Sequence, residues 1–460
     1  MPAEDSPAEP LPPFRILAPT AILGYGFPLD SFARGMDCRP DLIAVDAGSA
    51  DPGPWYLGSG KSFTDRAAVK RDLGVMLGAA VRQGIPLIIG TAGGSGAAPH
   101  LDWTTDIVKE VAAEQSLSFR LGTIAADIPQ QVVHEALARG HIEALQGAPA
   151  LHSESVETSN TIVAQMGVEP VQHALQQGCQ VIVAGRAYDP AVFAALPMLQ
   201  GYDAGLCLHL GKILECAAIA ASPGSGADCA LGILEKDRFV LQPLDDRRVF
   251  TPTSVAAHTL YEKSDPRLLP GPGGELDLSE VNFKDIGDGR VAVSGSRFVP
   301  SRPYRVKLEG TRLCGYRSVC VAGVRDPIMI RDIDSILQQV RAQVRAMLDT
   351  GAGSADVHCH LYGRNGVMGE REPQRAQPSH ELGIVIEAVA ASAEQADTLC
   401  SLTRSTLMHY GYEGRIATAG NLAFPFSPSD MRAGAVYEFS LYHLMQADPL
   451  ALFPLSVEDL

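Results

Sequence analysis

An α/β fold, doubly wound around a mostly parallel sheet, is what the first half of this 460-residue sequence predicts. Three observations carry that prediction. Short continuous apolar runs recur (Leu42-Ile43-Ala44-Val45, Leu87-Ile88-Ile89, Val181-Ile182-Val183-Ala184), as expected of strands buried on both faces. Helix-period segments lie between them. Glycine-bearing turns follow the strands, most clearly Thr91-Ala92-Gly93-Gly94-Ser95-Gly96.

In chain order, MPAEDSPAEPLPP reads as an acidic, Pro-rich disordered tail over residues 1–13, without the basic and apolar regions of a signal peptide. Residues 14–18 read as the first strand and 20–26 as a loop opening a helix over 28–35. Residues 42–45 are the second strand. A helix over 65–83 precedes the third strand, a helix over 102–114 follows it, and 119–124 is a strand partnered by a helix over 129–139. Residues 159–164 and 171–177 read as helices, and 181–185 as the last strongly parallel strand. Residues 14–235 thus form an α/β Rossmann-like domain without a dinucleotide fingerprint. From Phe239 short β-like segments alternate with Gly, Pro and Asp, so 236–330 reads as a β-rich segment, with a loop at 270–274. Long helices over 332–348 and 393–410, with strands over 357–361 and 382–388, make 331–460 a smaller α+β domain.

Composition narrows the function. A net charge of −16 repels nucleic-acid phosphates and anionic membrane surfaces, and no run of about 20 apolar residues is present to span a bilayer. Nine scattered cysteines without a C-x-x-C suit a reducing, cytoplasmic setting. A dimer or tetramer is the base-rate expectation for such a chain.

Chemistry is expected at the carboxyl ends of the strands, where open α/β sheets bind ligands. Asp46 ends the second strand, and Lys61 sits in Gly58-Ser59-Gly60-Lys61-Ser62. That run resembles the end of a phosphate-binding loop, but Trp55 stands where its first glycine belongs. Neither Gly24-x-Gly26 nor Gly94-x-Gly96 completes a dinucleotide fingerprint. The backbone of Gly93, Gly94 and Ser95 can approach an anion, or simply make a tight turn. Arg186 in Gly185-Arg186-Ala187-Tyr188-Asp189-Pro190 suits a carboxylate or phosphate, with Asp189 as base or metal ligand, or else pairs with Asp189 to close the loop. His209, Lys212 and Cys216 share one face if 208–216 is helical, with Glu215 in reach of Lys212. A buried lysine of lowered pKa serves as a base or Schiff-base former. Cys216 reads chiefly as a core residue. His358 and His360 share a strand face and offer two metal ligands, without the third that zinc needs.

Longer stretches carry a resemblance. DAGSADPGPWYLGSGKSFTDR, IIGTAGGSGAAPHLDW, IVAQMGVEP, VIVAGRAYDPAVFAALP, HLGKILECAAIAA, VAAHTLYEKSDP and GRIATAGNLAFPFSPSD resemble the acyclic terpene utilisation A-type (AtuA-like) proteins, over about residues 15 to 443. The resemblance implies cytosolic catabolism of branched acids and acyl-CoA thioesters, and a small ferredoxin-like companion subunit. It also implies site roles for Asp46, Ser49, Lys61, Arg66, Arg186, Asp189, His209, Lys212, Glu215, His258, Tyr261, Glu262 and Asn421.

The expectation is a lyase of the hydratase/dehydratase type acting on a branched carboxylic acid or its CoA thioester. Asp46, Lys61, Asp189, Lys212 and Glu215 would be catalytic. Ser49, Arg66, Gly93, Gly94, Ser95, Arg186, His209, His258, Tyr261 and Asn421 would bind substrate. Two other readings stand beside it: a hydrolase of an acyl-CoA or amide using Asp46 and Asp189 with a divalent metal, and a non-catalytic acyl-CoA-binding or carboxylase-supporting subunit.

Overall fold

Parallel pairing is found where the sequence is most uniformly apolar. The computed structural model describes residues 11–48, 52–261, 265–348 and 356–460. In it, Leu42–Asp46 is buried at every position and pairs in parallel with Phe14–Ala18 and Leu87–Gly90. Val181–Ala184 inserts, also in parallel, between Leu87–Gly90 and Arg120–Ile124. Antiparallel strands then widen both edges to a ten-stranded sheet. Ala230–Leu234, Arg238–Pro243, Arg290–Ser294 and Asn282–Gly287 continue beyond Phe14–Ala18, and Leu455–Asp459 pairs with Arg120–Ile124. The whole sheet is therefore mixed, a parallel centre with antiparallel flanks.

Both faces of the centre are covered, which is why its strands are apolar throughout instead of alternating. Ile16, Leu42, Ala44, Ile88 and Ile182 face one core, shared with helices Val168–Gln176, Ala191–Leu199 and Ala204–Leu214. Leu17, Ile43, Val45, Ile89 and Val183 face the other, shared with Arg66–Gln83 and Ala98–Gln115. Helix Arg66–Gln83 starts where the Asp65 carboxylate accepts from the amides of Ala67 and Ala68, and stops at Gly84, whose φ of 67° suits glycine.

By contacts the chain forms two compact units, residues 1–312 with 439–460, and residues 313–438. The divisions expected near residues 235 and 330 cut it elsewhere, because strands after 235 add to the same large sheet. The second unit runs strand (the later part of Arg305–Val324), helix Pro327–Met347, strands Asp356–Tyr362 and Leu382–Ala390, helix Ala393–His409, then Asp430–Gln446. Numbered within the unit, its strands lie in the order 2-3-1-4, the βαββαβ arrangement called ferredoxin-like. Its own core includes Ile333, Leu337, Val340, Ile384, Ile386 and Leu407.

Three local expectations differ from the structure. Thr161–Ala164 is a strand, not a helix, pairing antiparallel with residues 308–311, and its β-branched Thr161, Ile162 and Val163 suit that pleat. Residues 270–274 are not a free loop. They hold the tip of a hairpin, Leu268–Gly271 against Gly274–Asp277, with Gly273 at φ 75° in the turn. Residues 54–59, whose Gly- and Pro-containing sequence suits a loop, are a short helix begun by Pro54 at its first turn. The expected tail at 1–13 falls mostly outside the described residues. No helix among the described residues is long and apolar enough to cross a membrane.

Candidate functional site

Strand register brings the chemistry together. Asp46 is level with Gly90, and Ile124 with Ala184, so Asp46, Thr91 and Arg186 emerge along one edge of the sheet. The glycine loop between them is a packing device. A Cβ on Gly96 would stand 2.1 Å from the Arg186 nitrogen, and one on Gly94 would stand 2.2 Å from Phe63. Only glycine permits that approach, through which the Arg186 amide donates to the Gly96 carbonyl at 3.1 Å. Gly96 thus presses against the strand-tip loop, while Gly93 packs on His100 and Gly94 on Phe63. Thr91, in the left-handed region at φ 45°, accepts from the Ala187 amide at 3.3 Å.

Arg186 is 4% exposed, and its charge is already answered. Its Nε and Nη2 donate to the two oxygens of Glu309 at 2.7 and 3.2 Å, a two-pronged pair. Its Nη1 lies 3.4 Å from Asp189. Lys307 adds a second cation to Glu309 at 2.6 Å. Burial opposes charge on Glu309, but Arg186 and Lys307 outweigh it and bring its pKa down to about 2. The clamp on a substrate carboxylate expected of Arg186 is therefore engaged inside the protein. Glu309 comes from the strand Arg305–Val324, more than a hundred residues along the chain. Sequence reading missed it and Lys307; the one available signal was a lysine and a glutamate two apart on one strand face.

Asp46 goes the opposite way. It is buried, and that burial, with the Asp189 carboxylate nearby, pushes its pKa well above the carboxylate range. Arg186 and the Ala47 amide, which donates at 3.0 Å, offset this only in part. Burial thus favours the protonated form of Asp46, beside a part-exposed Asp189, the kind of arrangement in which an acid and a base can divide their roles.

Helix Ala204–Leu214 enters the same electrostatic group. Lys212 and Glu215 are buried and hydrogen-bonded to each other. Burial pulls the Lys212 ammonium down, but Glu215 more than offsets it and leaves a pKa of about 12. The lowered pKa expected of a lysine base does not occur; Lys212 stays a cation, its Nζ 5.6 Å from the Tyr261 ring centroid. His258 stacks on that ring at 5.6 Å, and burial followed by the Lys212 charge lowers its pKa to about 4, so it is neutral. Burial raises Tyr188, and Glu215 and Asp189 raise it further, so its phenol keeps its proton. Burial likewise keeps Cys216 a thiol.

The other expected site residues lie elsewhere or are occupied. His209 is fully buried, and Thr259 already donates to the Val255 carbonyl at 2.9 Å. The His209 Nε2–H therefore donates to Thr259 at 3.0 Å while Nδ1 accepts from Ser296 at 2.7 Å, a neutral polar clamp inside the core. Lys61 is exposed, and its carbonyl meets His100 Nε2 at 3.2 Å. Arg66 pairs on the surface with Glu110 at 2.8 Å. Asn421 lies in the second unit and donates to the carbonyls of Leu407 and Tyr410, which end a helix. Ser49 and Glu262 fall outside the described residues. His358 and His360 each meet a carboxylate, Asp356 at 2.9 Å and Glu387 at 2.8 Å. Among the described residues no group of three or more His, Cys, Asp or Glu is placed to hold a metal ion.

Asp189, Arg186 and Tyr188 open into a cleft of about 650 Å³. Arg305, Lys307 and Tyr442 line one part, with the Lys307 ammonium 4.6 Å from the Tyr442 ring centroid. Leu145, Leu444, Pro270, Val299 and Pro300 add an apolar lining. A small molecule with an anionic end and a hydrocarbon end matches both chemistries.

No curated protein and no solved structure matches the chain. A family model does, over residues 63–229 and 232–429, which hold Arg66, the glycine loop, Arg186, Asp189, Lys212, Glu215, Glu309 and Asn421. Its description is acyclic terpene utilisation family protein AtuA, and this chain belongs to that family.

Proposed function

We propose that the strand-tip cluster of the first unit is the active site of a lyase of the hydratase/dehydratase type. Its substrate is a branched carboxylic acid or its CoA thioester. The observation that carries this reading is the buried Asp46, its pKa pushed up by burial and by Asp189, next to the part-exposed Asp189. Loss of water from a β-hydroxy acid needs a base for the α-hydrogen and an acid for the departing hydroxyl. Asp189, part-exposed in the cleft, takes the α-proton; the C–H electrons form the double bond and the C–O bond breaks. Asp46 supplies the proton that turns the hydroxyl into water, and Asp189 passes its own proton back to reset the pair. Arg305 and Lys307 attract the anionic end, and the Lys212 charge and Tyr188 hydroxyl favour the negative charge that builds on the acyl group. A buried carboxyl whose pKa is pushed up gives up its proton less readily to become a metal ligand or to activate water, which favours the lyase over the metal hydrolase.

The test is a panel of branched β-hydroxy acids and their CoA thioesters, followed for water loss by absorbance and for α-hydrogen exchange in D2O by NMR. Turnover or exchange that falls in Asp189→Asn, with the fold intact, supports the reading. A folded wild-type protein that neither dehydrates nor exchanges any member of the panel would sink it.

A further inference from the structure

We propose that the second unit carries an anion-binding site of its own, shaped for a phosphate group by Arg341, Arg345 and Arg375. Helix Pro327–Met347 and strand Asp356–Tyr362 enclose a concavity of about 540 Å³ together with the loop that carries Arg375. Leu337, Arg341 and Arg345 recur at helical spacing along that helix, so the two guanidiniums stand one turn apart on the concave side. Arg375 lines the same concavity.

The distribution of partners points to a ligand. Asp334, on the rim, is taken up by Arg364 at 2.7 Å and approached by Arg375 at 3.5 Å. Among the described residues neither Arg341 nor Arg345 is in an ion pair, although Glu370 also lines the concavity; Arg341 hydrogen-bonds the Cys359 side chain, and its buried Nε has no hydrogen-bond partner. Like charges at i and i+4 repel, so this placement costs the helix stability. Acids are not scarce, since Asp and Glu outnumber Lys and Arg by 53 to 37. Guanidinium forks match the oxygens of phosphate, and a dianion relieves the repulsion of two neighbouring cations at once. The volume exceeds that of phosphate alone and leaves room for an organic remainder. This site is independent of the proposed chemistry in the first unit.

Isothermal titration of the full chain with inorganic phosphate and with AMP, at ionic strength matched by chloride, tests it. Saturable binding is expected, weakened about tenfold or more in Arg345→Ala, which changes an exposed side chain, and in Arg341→Gln. Lys307→Ala, in the cleft of the first unit, is expected to leave it unchanged. AMP tighter than phosphate identifies a phosphate ester as the ligand, and equal affinity identifies the free ion. No saturable binding of either probe, or binding lost in Lys307→Ala and kept in Arg345→Ala, overturns the proposal.

Discussion

The two units treat arginine in opposite ways. Arg186 at the strand tips is buried and held by Glu309 and Asp189, whereas Arg341 and Arg345 stand side by side and, among the described residues, neither is in an ion pair. A charge taken out of water costs several kcal/mol unless its partner folds with it, so Arg186 must be answered from within the chain. A charge left partly in water has no such need. The difference is one of role: Arg186 is scaffold, and its work is to set the protonation of its neighbours. Glu309 keeps its charge because it has two cations, whereas burial and then the Asp189 charge raise the Asp46 pKa by more than Arg186 lowers it.

The contrast breaks most visibly at Glu309. Glu309→Gln leaves the Arg186 guanidinium buried without its two-pronged partner, and about 3–5 kcal/mol of stability is expected to go. Urea denaturation at pH 7 measures it; a loss below about 1 kcal/mol would mean that Arg186 is hydrated and not scaffold at all. The pH dependence has a definite sign. The folded pKa of about 2 lies below the ordinary 4.5, so the unfolded chain binds the proton first on acidification. The advantage of wild type over Glu309→Gln is complete above pH 4.5 and disappears as pH falls toward about 2.

Asp46→Asn should separate activity from stability. Turnover is expected to fall by about 10² to 10⁴, the usual contribution of a positioned proton donor. Stability should move the other way. With a folded pKa above its ordinary 3.8, Asp46 costs the wild type stability as pH rises from there through the folded value, while asparagine carries no such cost. Melting curves from pH 4 to 9 should show the variant gaining steadily on the wild type. A constant difference across that range would mean that Asp46 is ionised in the fold.

A smaller effect is expected at His209, where His209→Leu leaves the Ser296 hydroxyl without its acceptor and removes the donor to Thr259. Stability is expected to drop by about 1–3 kcal/mol, with KM unchanged. A raised KM with the Tm unmoved would make His209 a substrate ligand after all.

Legibility in the sequence obeys the same division between local and distant partners. Leu42–Asp46 and Val181–Ala184 were legible because burial on both faces leaves unbroken apolar runs, and a short turn after each strand places the next residues at the strand tip. Asp46, Arg186, Asp189, Lys212 and Glu215 stand out by position at strand tips or by helical spacing, and the structure places them within electrostatic reach of one another. Their protonation was not legible, since it depends on Glu309, which reaches Arg186 only through the pairing of Glu309 with Val163. Thr161–Ala164 was misread for the same reason: four residues hold too little pattern, and their partner strand lies far along the chain.

Arg66 offers the smallest effect and the finest control on that division. Sequence resemblance gave it a substrate role, but the structure puts it on the surface with Glu110, the two side chains 48% and 37% exposed. In water such a pair gains little Coulomb energy and must hold two long side chains still. Arg66→Ala is expected to leave the Tm within about two degrees of wild type and turnover unaltered, and raised salt should erase even that difference. An unaltered Tm with KM raised several-fold would instead make Arg66 a mobile contact that reaches the substrate, and would place part of the binding surface outside the strand-tip cleft.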